Sequence, residues 1–116
     1  PHEYAPMLAA ADVGVSPYCG WPEFSGLKVL DYKAAGLPTI ASGQNGHPPT
    51  LTDGVTGLIV PPCEVAPLTA AIVRLSADAE LRARMGRAAR LEAEGQHGWE
   101  HTVARIEQVF QRVLAP

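Results

Sequence analysis

Residues 13–42 read VGVSPYCGWPEFSGLKVLDYKAAGLPTIAS. A brief β-type run, Val13 to Ser16, is stopped by Pro17, and CGWPEFSG has the Gly, Pro and Ser of a loop. Leu27, Leu30 and Ala34 then recur at helical spacing until Gly36 supplies a C-terminal stop, and Pro38 keeps the helix from resuming. LPTIAS, residues 37–42, is a second short apolar run, and TGLIVPP, residues 56–62, is a third, bounded by Gly57 and Pro61-Pro62. Strand, helix, strand in this order predicts a βαβ unit with parallel strands and a right-handed crossover, hence an α/β fold.

Outward from that unit, EYAPMLAAADV predicts a short helix ending near Asp12. The second half is helical: Leu68, Ile72 and Leu75 form one apolar face, and Leu81, Met85 and Leu91 another. Asp78 is the expected N-cap of the second of these helices, with Glu80 in its first turn. After EGQHGW a final amphipathic helix shows Val103, Ile106, Phe110, Val113 and Leu114. Three strands are few for a doubly wound sheet of five or six. The expectation is a partial Rossmann-like parallel sheet with flanking helices and its amino-terminal strands missing. A start at Pro1 without Met fits an excised or processed piece.

At 116 residues one domain is the prior, and 47% hydrophobic against 18% charged residues is a core-forming composition. The net charge is −3, and Arg82, Arg84, Arg87 and Arg90 fall on a predicted helix as a solvated face, so nucleic acid binding is disfavoured. Cys19 and Cys63 stand alone, without metal-ligand spacing. They read as packing thiols in a reducing compartment rather than as a zinc site or a disulfide framework. No apolar run reaches membrane-spanning length.

In an open parallel sheet, ligands bind beyond the carboxyl ends of the strands, which here means the loops after Tyr18 and after Ser42. A helix starting near Ser25 would present the backbone N–H groups of Ser25, Gly26 and Leu27 at the positive end of its dipole, an anion site without a basic side chain. Ser25 is equally readable as an ordinary N-cap. Asp31 falls inside the stripe formed by Leu27, Leu30 and Ala34, where an unpaired buried carboxylate is costly. Either it lies at the stripe's edge, solvated or paired with Lys28, or the stripe opens onto a cleft and Asp31 accepts hydrogen bonds from ligand hydroxyls. Glu23 would then precede the helix and Asp31 lie about one and a half turns in, ~8 Å along the axis, with the N–H groups between the two carboxylates, the layout of a nucleotide sugar.

These residues resemble the donor half of GT-B fold glycosyltransferases, in particular the retaining family 4, the group 1 glycosyltransferases. The family's Glu-x7-Glu signature is similar to EFSGLKVLD, residues 23–31, followed by YKAAGLPTIAS in place of EAMAxGxPVVAS. NGHPPTLTDGVTGLIVPP resembles GGxPEhhxDGxTGhhhPP (h apolar), and LSADAELRARMGRAAR and the late GWE continue the likeness. The resemblance implies that Glu23, the catalytic candidate, meets the hydroxyls of the transferred hexose or the adjoining phosphate. Phe24, Ser25, Gly26 and Leu27 would line the diphosphate, and Asp31 would bind the ribose. Lys28, Gly46 and His47 are further candidates, although a loop histidine is more commonly a surface residue. Asp31 is one methylene shorter than the family's Glu. Pro49 stands where the family often has Glu, and Cys63 replaces a turn Gly.

By this resemblance residues 1–95 are the donor-binding part, and 96–116 are a helix crossing to an acceptor-side domain that would precede Pro1. No cofactor and no metal are implied; the nucleotide sugar is the donor substrate. The location implied is cytoplasmic, with peripheral attachment of the longer protein at the inner face of the membrane left open. A glycosidase with Glu23 and Asp31 as its carboxylate pair is a weaker reading, because hydrolysis needs no anion site between them. A non-catalytic α/β module docking a partner through the last helix is the alternative.

Overall fold

The computed structural model describes residues 2–20, 26–44 and 50–115. In chain order it contains α1 (Tyr4–Ala9), β1 (Gly14–Ser16), α2 (Leu27–Ala34), β2 (Thr39–Ser42), β3 (Gly57–Val60), α3 (Val65–Ala77), α4 (Ala79–Gln96) and α5 (Trp99–Leu114). The three strands pair parallel in the order β1-β2-β3, with Val15 opposite Ile40 and Ile40 opposite Leu58. The predicted βαβ unit is therefore present, and α1 ends three residues short of the expected Asp12.

All four residues of the central strand β2 are buried, as a parallel strand covered on both faces requires. Alternation along the strands splits the core in two. Ile40, Leu58 and Val60 face Ala71 and Leu75 of α3 and Leu81 and Met85 of α4. Ala41 and Ile59 point the other way, against Val29 of α2 and Leu51. Each fully buried Val, Leu, Ile or Met of these clusters contributes about 1.5–3 kcal/mol.

Asp78 alone separates α3 from α4, and its Oδ1 accepts the N–H of Leu81 at 2.8 Å, the expected cap. Arg82 Nη1 donates to the carbonyls of Leu75 at 2.6 Å and Ser76 at 2.9 Å, closing the end of α3. The expected apolar faces need two corrections. Ile72 and Leu91 are exposed, Leu91 by 69%, and α4 continues its buried row through Gly86 and Ala89 instead. On α4 Gly86 explains this: a Cβ there would stand 2.2 Å from the carbonyl oxygen of Gly36. The side of α4 that carries Gly86 is thus pressed onto the end of α2, and Leu91 lies off it. No residue of α5 is buried, although its apolar side chains fall in a row.

Candidate functional site

The carboxyl edge of the sheet is where β1 and β2 release the chain toward α2 and toward residue 50. Of the residues expected there, Glu23, Phe24, Ser25, Gly46, His47 and Pro49 lie outside the described residues. Gly26, Leu27, Lys28 and Asp31 lie within them. The first turn of α2 differs from the expectation: the helix starts at Leu27, and Gly26 is its N-cap with φ 58°. A left-handed residue cannot belong to the helix, and the first intrahelical bond runs from the N–H of Leu30 to the carbonyl of Gly26, so the N–H groups of Gly26, Leu27, Lys28 and Val29 have no intrahelical acceptor. Gly26 is required here twice over, by its positive φ and because a Cβ would approach Thr50 Oγ1 to 2.8 Å. At its other end α2 stops as anticipated, with Gly36 left-handed at φ 72°.

The buried face of α2 is not the stripe that the apolar spacing picks out. Val29 and Lys33 are buried, whereas Leu27 is 64% exposed and Asp31 and Ala34 are exposed. Positions 29 and 33 are each 200° from position 31 on a helical wheel at about 100° per residue, so Asp31 lies opposite the core. The carboxylate therefore needs no buried partner. Its Oδ2 accepts a hydrogen bond from the Tyr4 hydroxyl of α1 at 3.3 Å. Loss of water, then the charge and hydrogen bond of Asp31, raise the Tyr4 phenol above its ordinary pKa.

Two clefts meet at Asp31. One, of about 610 Å³, runs between Leu27, Leu30 and Asp31 of α2 and Arg90, Glu94, His97 and Trp99 on the side of α4 and α5. The other, of about 460 Å³, lies between Tyr4, Leu8 and Ala9 of α1 and the same Asp31, Ala34 and Arg90. Arg90 is held in place by Glu94 Oε1 at 2.6 Å and by the carbonyl of Ala34. The stripe thus borders open space, and its carboxylate is an acceptor offered to that space.

Beneath it lies a cluster that spacing alone does not reveal. Lys33 is 0% exposed. Its ammonium donates to Glu92 Oε2 at 2.6 Å, the Thr50 carbonyl at 2.7 Å and His97 Nε2 at 3.2 Å. An ammonium has only donors, so His97 accepts on Nε2 and carries its proton on Nδ1. Burial, then the Lys33 charge, lowers the His97 pKa despite the opposing Glu92. Partial burial alone would raise Glu92, but the hydrogen bonds from Lys33 and Thr52 and the charges of Lys33 and His97 bring it below its ordinary value. Thr52 Oγ1 supplies its bond to Glu92 Oε1 at 3.0 Å. Lys33 stands where the family string has Met, and that exchange is the one signal in the sequence that a polar group replaces core.

The cysteines also require correction. Cys19 and Cys63, 44 residues apart, form a disulfide with Cα atoms 4.7 Å apart. β1 and β3 flank β2 in parallel, so the chain segments that leave them emerge at the same edge of the sheet, and the bridge joins those segments. Cys63 adopts φ 64°, the left-handed geometry of the turn glycine it replaces. The bridge removes the basis for reading a reducing compartment from free thiols. Among the described residues, no helix is long and apolar enough to cross a membrane.

Comparison with known proteins adds independent findings. The family model described as glycosyl transferases group 1 matches residues 2–78. The D-inositol 3-phosphate glycosyltransferase of Streptomyces bingchenggensis is 34% identical over 112 residues, which cover 97% of this chain and 24% of that protein. The GDP-mannose-dependent monoacylated alpha-(1-6)-phosphatidylinositol monomannoside mannosyltransferase of Corynebacterium glutamicum is 35% identical over 117 residues, covering 94% and 30% respectively. Among solved structures, sucrose-phosphate synthase from Thermosynechococcus elongatus superposes with a TM-score of 0.86 at 32% identity, over 98% of this chain and 28% of that one. The chain spans less than a third of the length of each.

Proposed function

The chain belongs to the group 1 glycosyltransferases, and on that premise we propose that it is the donor-binding portion of a retaining GT-B enzyme, one that transfers a hexose from a nucleoside-diphosphate sugar to an acceptor. One observation carries the reading: Asp31 is an exposed carboxylate at the junction of two clefts, on a helix whose N-terminus opens at the carboxyl edge of a parallel sheet. About 6 Å of helix rise separates Leu27 from Asp31, a span suited to a diphosphate at one end and ribose hydroxyls at the other.

In this reading the N–H groups of Ser25, Gly26 and Leu27 meet the diphosphate, that of Val29 in the first turn of α2 adds to them, and Phe24 is a further donor contact. Asp31 accepts from the ribose, and Glu23 meets the hexose or its adjoining phosphate. Lys28, Gly46 and His47 stay as further candidates for donor contact. Preorganised N–H donors at a helix dipole suit the charge that develops on a departing diphosphate, and the reading assigns that task to them without a metal. Residues 1–95 form the donor-binding part, and 96–116 reach an acceptor-side domain. The chain alone binds donor without turning it over.

Titration of the chain with UDP, GDP and ADP, followed by NMR amide shifts or calorimetry, tests this. One of the three is expected to perturb Gly26, Leu27 and Asp31, and Asp31→Asn to weaken it by about tenfold or more, the worth of a hydrogen bond to a charged acceptor. No response from any of them, with Asp31→Asn indistinguishable from the parent, would overturn the proposal. The exposed apolar row of α5 favours a second reading, a non-catalytic module that docks a partner through that helix. Such a module gives no nucleotide response.

A further inference from the structure

We infer that Tyr4 is the second member of a ribose-reading pair: its hydroxyl donates to Asp31 and, through the same oxygen, accepts from a sugar hydroxyl, so that Tyr4 and Asp31 together recognise a vicinal diol. The inference rests on the nucleotide-sugar reading above and deepens it.

A phenol has one proton and two acceptor lone pairs. With the proton committed to Asp31 Oδ2 at 3.3 Å, the oxygen of Tyr4 faces any ligand as an acceptor. Tyr4 is 49% exposed and lines one of the two clefts that share Asp31, so that oxygen is within reach of a molecule lying against α2. A carboxylate accepts on both oxygens, which leaves Asp31 able to take one hydroxyl while Tyr4 takes its neighbour. Two adjacent acceptors with no donor between them match a diol, and they discriminate against a sugar that lacks one of its hydroxyls. A phenol is protonated across the neutral range at its ordinary pKa, so its proton is available to Asp31 there.

The geometry also addresses the shorter side chain at position 31. Asp31 stands where the family string carries Glu and so ends one methylene closer to its own helix. The Tyr4 hydroxyl of α1, 3.3 Å from Asp31 Oδ2 and lining the same cleft, sets a second acceptor beside the carboxylate. Tyr4 thus acts both by orienting Asp31 and by extending it.

The test compares whichever of UDP, GDP or ADP binds the parent chain with its 2′-deoxy counterpart, by NMR titration of the parent and of Tyr4→Phe. The parent should prefer the ribonucleotide. Tyr4→Phe should lose affinity for it by about threefold to tenfold, the range for one hydrogen bond, while the deoxy form changes less than about twofold. Asp31→Glu added to Tyr4→Phe should recover most of the preference, because the longer carboxylate reaches the diol unaided. An unchanged ribose preference in Tyr4→Phe, equal losses for both forms, or no recovery on adding Asp31→Glu would overturn the inference while leaving nucleotide binding intact. A parent chain that binds none of the three diphosphates overturns the nucleotide reading itself, and this inference with it. Amide spectra of each variant in the absence of ligand separate misfolding from lost recognition.

Discussion

The two faces of α2 carry polar groups of opposite character. On the inner face the Lys33 ammonium has three N–H donors and three acceptors, the carboxylate of Glu92, the carbonyl of Thr50 and the ring of His97. The ammonium has no proton left over for a ligand. On the outer face Asp31 is exposed, meets the Tyr4 phenol alone among the described residues and borders two clefts. A saturated polar cluster holds a fold together, whereas an unsaturated one has capacity for something from outside. Being charged or lying on the site helix does not separate the two groups; counting their partners does.

The largest expected effect would break the inner face. Lys33→Ala leaves Glu92, the Thr50 carbonyl and His97 without their shared donor, and should lower stability by about 3 kcal/mol in a urea titration followed by circular dichroism. Replacing the pair together, Lys33→Met with Glu92→Leu, should restore most of that loss, because the cost comes from stranding a charge rather than from losing a bridge. A single variant as stable as the parent would dissolve the distinction between the faces.

Acidification probes the same cluster more gently. His97 and Glu92 both titrate below their ordinary values in the fold. A depressed pKa gives stability that is fully present above the unfolded value and is lost as pH falls through the folded one. The melting temperature should therefore hold above about pH 6.5, fall as His97 takes a proton beside the Lys33 cation, and fall again below about pH 4 as Glu92 is neutralised. In Lys33→Met the first of these steps should shrink.

The smallest effect on stability belongs to the outer face. Asp31→Asn, at an exposed position opposite the core, should shift the unfolding free energy by less than about 0.5 kcal/mol, even where it abolishes a nucleotide response. A large destabilisation would mean that Asp31 is structural after all, and the contrast would fail from that side.

Much of this organisation was legible in the residues, and what was hidden had physical reasons. The three strands, the stop at Gly36 and the Asp78 cap announce themselves because each depends on local chemistry: a proline, a left-handed glycine, a carboxylate facing an unpaired N–H. The inner and outer faces of α2 were exchanged because Leu27, Leu30 and Ala34 have the spacing of a buried stripe. In fact they line a cleft, and the buried side holds a lysine, a residue type that is almost never fully buried unless paired. Its partners Glu92 and His97 lie 59 and 64 residues away, beyond the reach of any periodicity. The pairing of Cys19 with Cys63 was invisible for the same reason, being a product of sheet order. Asp31 drew attention as an acid on a stripe expected to be buried; the stripe is the exposed side of α2, and the carboxylate borders two clefts there.

That disulfide has a topological result. The segment from Cys19 to Cys63 is closed into a covalent ring that contains α2, β2 and β3 entire, and with them Gly26, Asp31 and Lys33. A protease that cuts one bond anywhere within the ring opens a loop but severs nothing: the chain still migrates as one molecule, and it separates into two pieces only once the bridge is reduced.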